Sequence, residues 1–273
     1  MIEPGFIYWD VGPVIVEIGP FMLRWYGLFF GLAFLFGYYL VGRMFRQEGK
    51  PERYLDPLIV YMVVGTVLGA RLGHVLFYDP GYYFSQPVEI LKVWHGGLAS
   101  HGGAIGILIA LYVFDRRRPD LSYLWLLDRL AVPTALGGAL IRLGNVFNSE
   151  ILGTPSDLPW AFVFARVDAV PRHPAQLYES IGYFLIFLGL LAVYQRLKDR
   201  TPRGLLLGLF LTSVFTYRFL VEFVKMQQAA FAEALPLSMG QLLSLPMILA
   251  GIALLAYSAT HSQRRRQTTA TAP

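Results

Sequence analysis

The sequence predicts an all-α integral membrane protein: a bundle of about seven transmembrane helices with a small extracytoplasmic head and an N-terminal interfacial arm. Composition is the first observation behind this prediction, because 55% of the 273 residues are hydrophobic and only 15% are charged. The second is that the apolar residues form long runs, not the short periodic patches of a soluble core. A run of about 20 such residues crosses the hydrocarbon layer of a bilayer.

Seven such runs are present, and each predicts one span. The third run is short, and its glycines predict that it begins as a re-entrant turn. The runs cover residues 21–42, 55–78, 98–114, 121–143, 176–195, 204–224 and 239–259.

The segments between and beyond these runs predict the rest of the fold. Residues 1–20 mix glycine and proline with apolar residues, which favours an extended or interfacial arm. The head covers about residues 145–175, where four prolines exclude a further span and WAFVFARV favours a short strand pair. We expect residues 1–262 to form a single integral membrane domain and residues 263–273 to form a disordered cytoplasmic tail.

The distribution of basic residues predicts the orientation. Of the 23 Lys and Arg residues, 14 lie in loops 43–54, 115–120 and 196–203 and in the C-terminal tail. By the positive-inside rule these four segments are cytoplasmic. With seven spans, the N-terminus is then outside and the C-terminus inside, as expected for a multi-pass protein of the bacterial cytoplasmic (inner) membrane.

Charge and composition also exclude several classes of function. The net charge of +5 does not indicate nucleic-acid binding, because the basic residues flank the spans as short caps. The chain has no cysteine, which removes disulfides, thiol nucleophiles and thiolate metal sites. No HExxH or similar spacing is present, so we expect neither a metal nor a cofactor.

Among the ionisable residues inside predicted spans, His101, Arg142 and Arg218 are the most informative. A charge at bilayer depth costs several kcal/mol unless it faces protein or a wet cavity, so such residues are candidates for a functional site. Their position beside glycines and amides predicts a polar chamber within an apolar bundle.

His101 lies in the glycine-rich run WHGGLASHGG, together with Gly102 and Gly103. These glycines would leave N–H groups free to face an anion, and an imidazole can serve as a general base near neutral pH. The alternative, which the residues favour equally, is a glycine cluster that packs helices. His95 is a weaker candidate, and His74 is more easily explained as structural.

The run IRLGNVFNSEILG places Arg142 and Asn145 on one helix face, with Asn148 and Glu150 following at the helix end. A guanidinium binds phosphate through two parallel hydrogen bonds, and the amides suit ester or hydroxyl oxygens. The alternative is a helix end with a snorkelling arginine.

Arg218 and Glu222 stand four residues apart, which predicts an ion pair along one helix face. Tyr26 can supply a phenol from the outer end of the first span, although a place in the aromatic belt explains it equally well. Three further features have open or structural interpretations. They are Gln176 with Glu179 (function or helix start), Arg71 (interhelical pair), and Asp128 with Arg129 (interhelical pair).

Four motifs in this order resemble bacterial prolipoprotein diacylglyceryl transferase: LASHGG, RLGNVFNSEILG, HPAQLYES and YRFLVEF. The resemblance runs from about Arg24 to Lys225, and the Gly-Asn-x-x-Asn-x-Glu run is its most specific part. It implies transfer of the diacylglyceryl group of phosphatidylglycerol to the lipobox cysteine of an exported prolipoprotein, with release of glycerol phosphate. The partners it implies are therefore phosphatidylglycerol and the signal peptide and lipobox of that prolipoprotein.

The family's important residues carry over to positions of this chain. Those expected to act in catalysis are Tyr26, His101, Arg142, Arg218 and Glu222. Those expected to bind phosphatidylglycerol are Gly102, Gly103, Arg142, Asn145, Asn148, Glu150, Gly153 and Arg218. Two positions depart from the family pattern: Val214 replaces a tyrosine one turn before the second arginine, and Val146 replaces a phenylalanine.

Three other classes fit the sequence less well. An intramembrane serine protease would need a serine in a glycine frame, and no G-x-S-x-G run is present. A secondary transporter would be expected to show internal repeats, and none is visible. A structural scaffold does not account for intramembrane arginines.

Overall fold

The computed structural model describes residues 5–19, 21–226 and 237–270, and for His95 and residues 262–270 it describes the backbone alone. The residues group into two compact units. Unit 1 contains residues 1–44 and 127–273, and unit 2 contains residues 45–126. The sequence predicts a single domain over residues 1–262, and this stays a prediction.

Unit 1 is built mainly from five long helices, two of which continue into unit 2. They are α1 (Trp25–Gln47), α5 (Tyr123–Asn148), α6 (Ala175–Leu197), α7 (Leu205–Val221) and α8 (Met239–Ala270). Its apolar core lies among α1, α5, α6 and α7 and includes Met44, Val132, Phe187 and Leu206. Unit 2 contains α2 (Leu55–Phe77), the short α3 (Pro80–Ser85) and α4 (Ser100–Arg116), with one 3-10 segment before α2 and two between α3 and α4.

Six helices in the described part of the chain are long and apolar enough to cross a membrane, which confirms the all-α integral membrane class. They are α1, α5, α6, α7 with its final 3-10 turn, α8, and α2 with the 3-10 turn before it. The remaining predicted span is α4, which has 17 residues and extends about 26 Å at 1.5 Å per residue. It packs antiparallel along α2, so it runs beside about three-quarters of the length of that helix.

The head contains short strands, one of which lies in the WAFVFARV stretch for which the sequence predicts a strand pair, whereas its two partners lie outside that stretch. β4 (Phe162–Phe164) pairs antiparallel with β5 (Pro171–Arg172), and β1 (Ile7–Trp9) joins β4 in parallel. The N-terminal arm is therefore not one extended piece, because β1 belongs to the head sheet. β2 (Val14–Ile18) and β3 (Phe21–Arg24) form a separate hairpin that leads directly into α1. Residues 1–4 and 20 of the arm lie outside the described residues.

The C-terminal helix is longer than the sequence analysis predicts. α8 continues to Ala270, so residues 263–270, predicted as disordered tail, are helical. The segment contains no glycine or proline that would end the helix, and arginine and glutamine are favourable helix residues. Residues 271–273 lie outside the described residues.

Unit 2 is held together by close packing of α2 against α4. A methyl group added at Gly65 would lie 2.7 Å from the Ala110 side chain, and one added at Gly73 would lie 2.7 Å from the Gly102 backbone. Gly102 in turn faces the Gly69 carbonyl oxygen and the Gly73 backbone. Only residues without side chains permit backbones to approach so closely. The packing alternative for the glycine-rich run therefore accounts for Gly102, and its expected contact with phosphatidylglycerol stays a prediction.

Asp128 and Arg129 do not form the simple interhelical pair that the sequence analysis proposes. The Asp128 carboxylate is fully buried and accepts backbone hydrogen bonds from Gly204 (2.6 Å) and Leu207 (2.9 Å). Asp128 thus caps the N-terminus of α7, where free N–H groups and the helix dipole favour a negative charge. Its distance to the adjacent Arg129 guanidinium is 3.9 Å.

Candidate active site

The end of α5 and the turn after it bring four predicted site residues together. Arg142 Nη1 donates to Asn145 Oδ1 (3.2 Å), as expected for two residues on one helix face. The amides of Asn145 (2.6 Å) and Asn148 (3.0 Å) both donate to Glu150 Oε1. One chain of hydrogen bonds therefore connects Arg142 to Glu150.

The backbone after α5 explains how Glu150 reaches this position. Ser149 and Ile151 have φ angles of 52° and 60°, in the left-handed region that non-glycine residues rarely adopt. The Glu150 N–H donates to the Asn145 carbonyl oxygen (3.2 Å), and Gln176 Nε2 donates to the Glu150 carbonyl oxygen (2.6 Å). The turn folds the carboxylate back over the helix end, and strain of this kind is concentrated at functional sites.

The charge at the centre of the cluster belongs to Glu179 on α6. Its side chain is fully buried, with Oε2 3.0 Å from Arg142 Nε and Oε1 3.5 Å from Lys225 Nζ. The Lys225 side chain is only 6% exposed. A buried carboxylate that lost either cation would be costly, so the three charges stabilise one another. Arg142 therefore has a carboxylate partner on another helix.

The predicted ion pair between Arg218 and Glu222 is wrong. α7 ends at Val221, and the chain tightens into a 3-10 turn over Glu222–Val224. Glu222 Oε2 lies 3.1 Å from Lys225 Nζ. The Glu222 N–H still donates to the Arg218 carbonyl oxygen, as in an α-helix, so the backbone spacing holds and it is the Glu222 side chain that turns towards Lys225. Within the described residues, no carboxylate lies within 4 Å of the Arg218 guanidinium, so Arg218 is the uncompensated cation of the pair.

Two phenols lie between the arginine-bearing helices. The Tyr183 hydroxyl on α6 donates to Glu179 Oε1 (3.3 Å), and the charges of both Arg142 and Arg218 act on this hydroxyl. Tyr217 on α7 stands 6.2 Å from the Tyr183 ring and donates to the Tyr178 carbonyl oxygen (2.8 Å). Phenols are thus present beside the arginines, although the family tyrosine is replaced by Val214.

Gly153 joins the motif on α5 to the end of α7. It forms an isolated antiparallel bridge with Lys225, and the Thr154 N–H donates to the Val224 carbonyl oxygen (2.9 Å). A Cβ at position 153 would collide with the carbonyl oxygen and Cβ of His173. Glycine is therefore required for packing, and this contact gives a structural reason for a residue that the sequence analysis assigns to lipid binding.

Tyr26, in the first turn of α1, lies beside the end of α5 that carries Arg142 and Asn145. Its ring is close to Gly144, where an added methyl group would be 3.0 Å from the ring, and the charges of Glu150 and Arg142 act on its hydroxyl. Its neighbour Trp25 stacks on Phe147, 4.5 Å between ring centroids. The first turn of α1 is thus packed against the last turn of α5.

The head beside this cluster is tied by polar contacts of its own. Arg172 donates to the Asp168 carboxylate (2.5 Å), and this hydrogen bond lowers the pKa of Asp168 from its ordinary value. Trp160 Nε1 donates to the Tyr178 hydroxyl (2.9 Å), which lies 3.3 Å from His173 Nδ1. These contacts fix strand β5 and the start of α6, which carries Glu179.

His101 belongs to unit 2 and lies in the first turn of α4. The ring centroids of Phe77 and Tyr78 are 5.6 Å and 5.9 Å from its own. His74, which the sequence analysis considers structural, stacks on Tyr78 at 5.3 Å. Gly103, two residues after His101, is buried with Ala70 Cβ 3.6 Å from the position of an added methyl group. The side chain of His95 lies outside the described residues.

The loop that precedes His101 is organised by Arg71, not by an interhelical ion pair as predicted. This arginine is 3% exposed and donates to the carbonyl oxygens of Ile90 (2.9 Å), Gly96 (2.6 Å) and Gly97 (3.1 Å). Its guanidinium also lies 4.7 Å from the centre of the Tyr83 ring. One buried cation thus satisfies several loop carbonyls and fixes the chain that leads into α4.

The residues at the centre of the cluster were not identified from the sequence. Glu179 was left open between function and helix start, and neither Lys225 nor Tyr183 was singled out. The available signal was the i,i+4 spacing of Glu179 and Tyr183, which places both on one face of an apolar helix. Across the described part of the chain, no three His, Asp or Glu side chains converge as metal ligands.

Comparison with known proteins identifies relatives along nearly the whole chain. Residues 13–257 match the family model described as prolipoprotein diacylglyceryl transferase. The chain is 55% identical to the phosphatidylglycerol–prolipoprotein diacylglyceryl transferase of Chloroherpeton thalassium, covering 96% of this chain and 98% of the relative. It is 50% identical to the protein of the same name from Tolumonas auensis, covering 94% and 100%. The identity to the one from Porphyromonas gingivalis is 45%, covering 92% and 94%.

Proposed function

The chain belongs to the prolipoprotein diacylglyceryl transferase family, and on that premise we propose that the cluster around Glu179 is the active site. The protein is a multi-pass membrane enzyme that transfers the diacylglyceryl group of phosphatidylglycerol to the cysteine thiol of a prolipoprotein, the first step of lipoprotein maturation. The residues that perform the transfer are part of the proposal.

The reaction requires substitution at one carbon. The thiol loses its proton, and the thiolate sulfur attacks the diacylglyceryl carbon that bears the phosphate oxygen. The C–S bond of the thioether forms as that C–O bond breaks, and glycerol phosphate leaves with the electron pair. Negative charge therefore grows on the phosphate, and its stabilisation is the main contribution expected of the enzyme.

The observation that carries the proposal is the unequal pairing of the two arginines. Arg142 is held between Glu179 and Asn145, whereas Arg218 has no carboxylate partner in the part of the chain that the structure describes. Both arginines approach the same part of α6, because Arg142 Nε lies 3.0 Å from Glu179 Oε2 and the ring of Tyr217, the neighbour of Arg218, lies 6.2 Å from that of Tyr183. We expect Arg218 to supply the uncompensated positive charge for the phosphate, and Arg142 to present a guanidinium in a fixed orientation.

The remaining residues of the cluster have supporting roles in this proposal. Asn145, Asn148 and Glu150 offer amide and carboxylate groups to the hydroxyls and esters of the lipid. Tyr26 places a phenol beside them. Glu222 holds Lys225, not Arg218, so its catalytic assignment becomes a positioning one.

We further propose that the bacterial inner membrane holds the protein with its N-terminus outside. The 14 basic residues of loops 43–54, 115–120 and 196–203 and of the C-terminal tail support this orientation. The antiparallel packing of α4 on α2 supports a total of seven crossings. The signal peptide of the prolipoprotein would then bring the lipobox to the outer side, where the head lies.

The proposed activity can be tested with purified protein in phosphatidylglycerol vesicles and a synthetic lipobox peptide. We expect the peptide to gain the mass of a diacylglyceryl group, with one glycerol phosphate released for each modified peptide. A peptide with serine in place of cysteine is the control and should stay unmodified. Glycerol phosphate released in the absence of peptide modification would instead indicate a lipase.

His101 is proposed as the base that removes the thiol proton. A thiol with a pKa near 8.5 is only a few per cent ionised at neutral pH, so a base accelerates transfer most under mildly acidic conditions. We expect His101→Gln to be most impaired at low pH and to recover partly as the pH rises towards about 9. His74→Gln, on the neighbouring helix, is the control and should show no pH-dependent recovery. A rate near that of the wild type at every pH would leave His101 with a structural role alone.

A further inference from the structure

An apolar groove runs between α2 and α4 on their exposed side, with a volume of about 520 Å³. Its walls are apolar residues at four-residue spacing, such as Leu68 and Leu72 on α2 and Ile105 and Ile109 on α4, each more than half exposed. Its floor is formed by the glycines through which the helices meet. The groove therefore exists because small residues lie between two ridges of large ones.

The groove is nearly as long as the hydrocarbon layer of a bilayer is thick. It extends from Val60 to Phe77, about 26 Å at 1.5 Å per residue, whereas the hydrocarbon core measures about 30 Å. An acyl chain that lies along it therefore meets apolar side chains of both helices.

Arginines without acidic partners lie at one end of this groove. Tyr61 lines the groove, and its hydroxyl accepts a hydrogen bond from Arg117 Nη1 (2.8 Å). The Arg118 guanidinium lies 3.7 Å from the centre of the Phe114 ring and 5.8 Å from that of Tyr61. Arg116 stacks on Tyr112 in the same way, at 5.5 Å.

The nearby carboxylates do not neutralise these arginines. Asp120 accepts a hydrogen bond from the Tyr54 hydroxyl (3.2 Å), and Asp115 precedes the three arginines in the chain. Among the described residues, none of Arg116, Arg117 and Arg118 has a carboxylate oxygen within 4 Å. Their positive charge is therefore available to a ligand, and aromatic rings hold them beside the groove.

We propose that this end of the α2–α4 groove binds an anionic phospholipid, with its phosphate at Arg117 and Arg118 and one acyl chain between the helices. Basic pockets between transmembrane helices are known to recognise anionic headgroups on the cytoplasmic side, which is the side proposed for this loop. The site lies within unit 2, and its proposed phosphate contacts, Arg117 and Arg118, are not among the residues assigned to the transfer reaction, although Gly102 contributes to the groove floor towards the other end. The lipid bound here is accordingly a structural lipid and not the substrate of the transfer.

The test compares lipids that share acyl chains and differ in headgroup charge. Purified full-length protein in detergent is titrated with phosphatidylserine or phosphatidylcholine, and bound lipid is counted by native mass spectrometry while the melting temperature is followed. We expect phosphatidylserine to bind and to raise the melting temperature, and phosphatidylcholine to do so much less. Each arginine near the membrane surface contributes about fivefold in affinity, so Arg117→Gln with Arg118→Gln should weaken phosphatidylserine binding about 25-fold.

Two further variants make the result decisive. Ile109→Trp fills the groove without changing any charge and should also abolish the binding of phosphatidylserine. Arg200→Gln with Arg203→Gln removes two exposed arginines from another basic loop and should change nothing. Equal binding of phosphatidylserine and phosphatidylcholine would overturn the proposal. An equal loss of phosphatidylserine binding in the Arg200→Gln with Arg203→Gln variant would also overturn it. So would a change in the fraction of dimer caused by Ile109→Trp, because the groove would then seat a helix of a second copy.

Discussion

Replacing Arg218 with alanine is expected to reduce transfer about 100-fold or more, the usual effect of removing one group that stabilises transition-state charge. The melting temperature should stay close to that of the wild type. The reason is that Arg218 has no carboxylate partner in the described structure, so its loss leaves no buried charge unpaired. Arg218→Lys should restore little activity, because an ammonium cannot form two parallel hydrogen bonds with phosphate. The measurement is labelled lipid on peptide, with thermal unfolding in parallel.

Arg142 provides the matched comparison. Arg142→Ala should lose activity to a similar degree, and it should also lower the melting temperature, because Glu179 then remains fully buried with Lys225 alone. Breaking one side of a buried pair typically costs about 3–5 kcal/mol. Transfer at a substantial rate by Arg218→Ala would contradict the phosphate assignment. Equal destabilisation by the two alanine variants would show that Arg218 has an ionic partner after all.

Removal of the Glu179 carboxylate is expected to have the second largest effect. Glu179→Ala would leave the Arg142 and Lys225 cations without their common partner inside an apolar bundle. We expect a loss of several kcal/mol in the free energy of unfolding and a loss of most of the activity. Glu179→Gln keeps an oxygen that can accept a hydrogen bond from Arg142, so it should retain more of both. Unfolding and transfer rates of the two variants provide the measurement.

The position of Glu179 behind Arg142 makes a more specific expectation possible. If it acts by orienting Arg142, Glu179→Gln should add little further loss of activity in the Arg142→Ala background, since effects within one network are not additive. Glu52→Gln is the matched control, because it makes the same chemical change in a pair whose side chains are both 56% exposed. Such surface pairs contribute about 0–1 kcal/mol. If the Glu179→Gln variant kept full activity and full stability, the assignment of Glu179 to the active site would be wrong.

The sequence by itself determined the class of fold and most of the element boundaries. Long apolar runs fix transmembrane helices because the bilayer leaves backbone groups no partners other than those within the helix. Of the head strands, the sequence indicated only β4, in WAFVFARV, and its pairing with β1 and β5 came from the tertiary structure. The pairing of Arg142 with Asn145 followed from helix periodicity, since that contact spans three residues of one uninterrupted helix.

Only the tertiary structure decided which charges neutralise one another. The spacing of Arg218 and Glu222 predicts an ion pair, and the Glu222 N–H does donate to the Arg218 carbonyl oxygen, yet the Glu222 carboxylate pairs with Lys225 after the following 3-10 turn. Glu179 reaches Arg142 from another helix, and Arg71 binds loop carbonyls 18 to 26 residues away. Sequence spacing reports neighbours along one helix, whereas the partner of a buried charge is whichever group the packing of separate helices brings within a few ångströms. For that physical reason the sequence identified the arginines, and the fold alone assigned Arg142 its counterion and left Arg218 without one among the described residues.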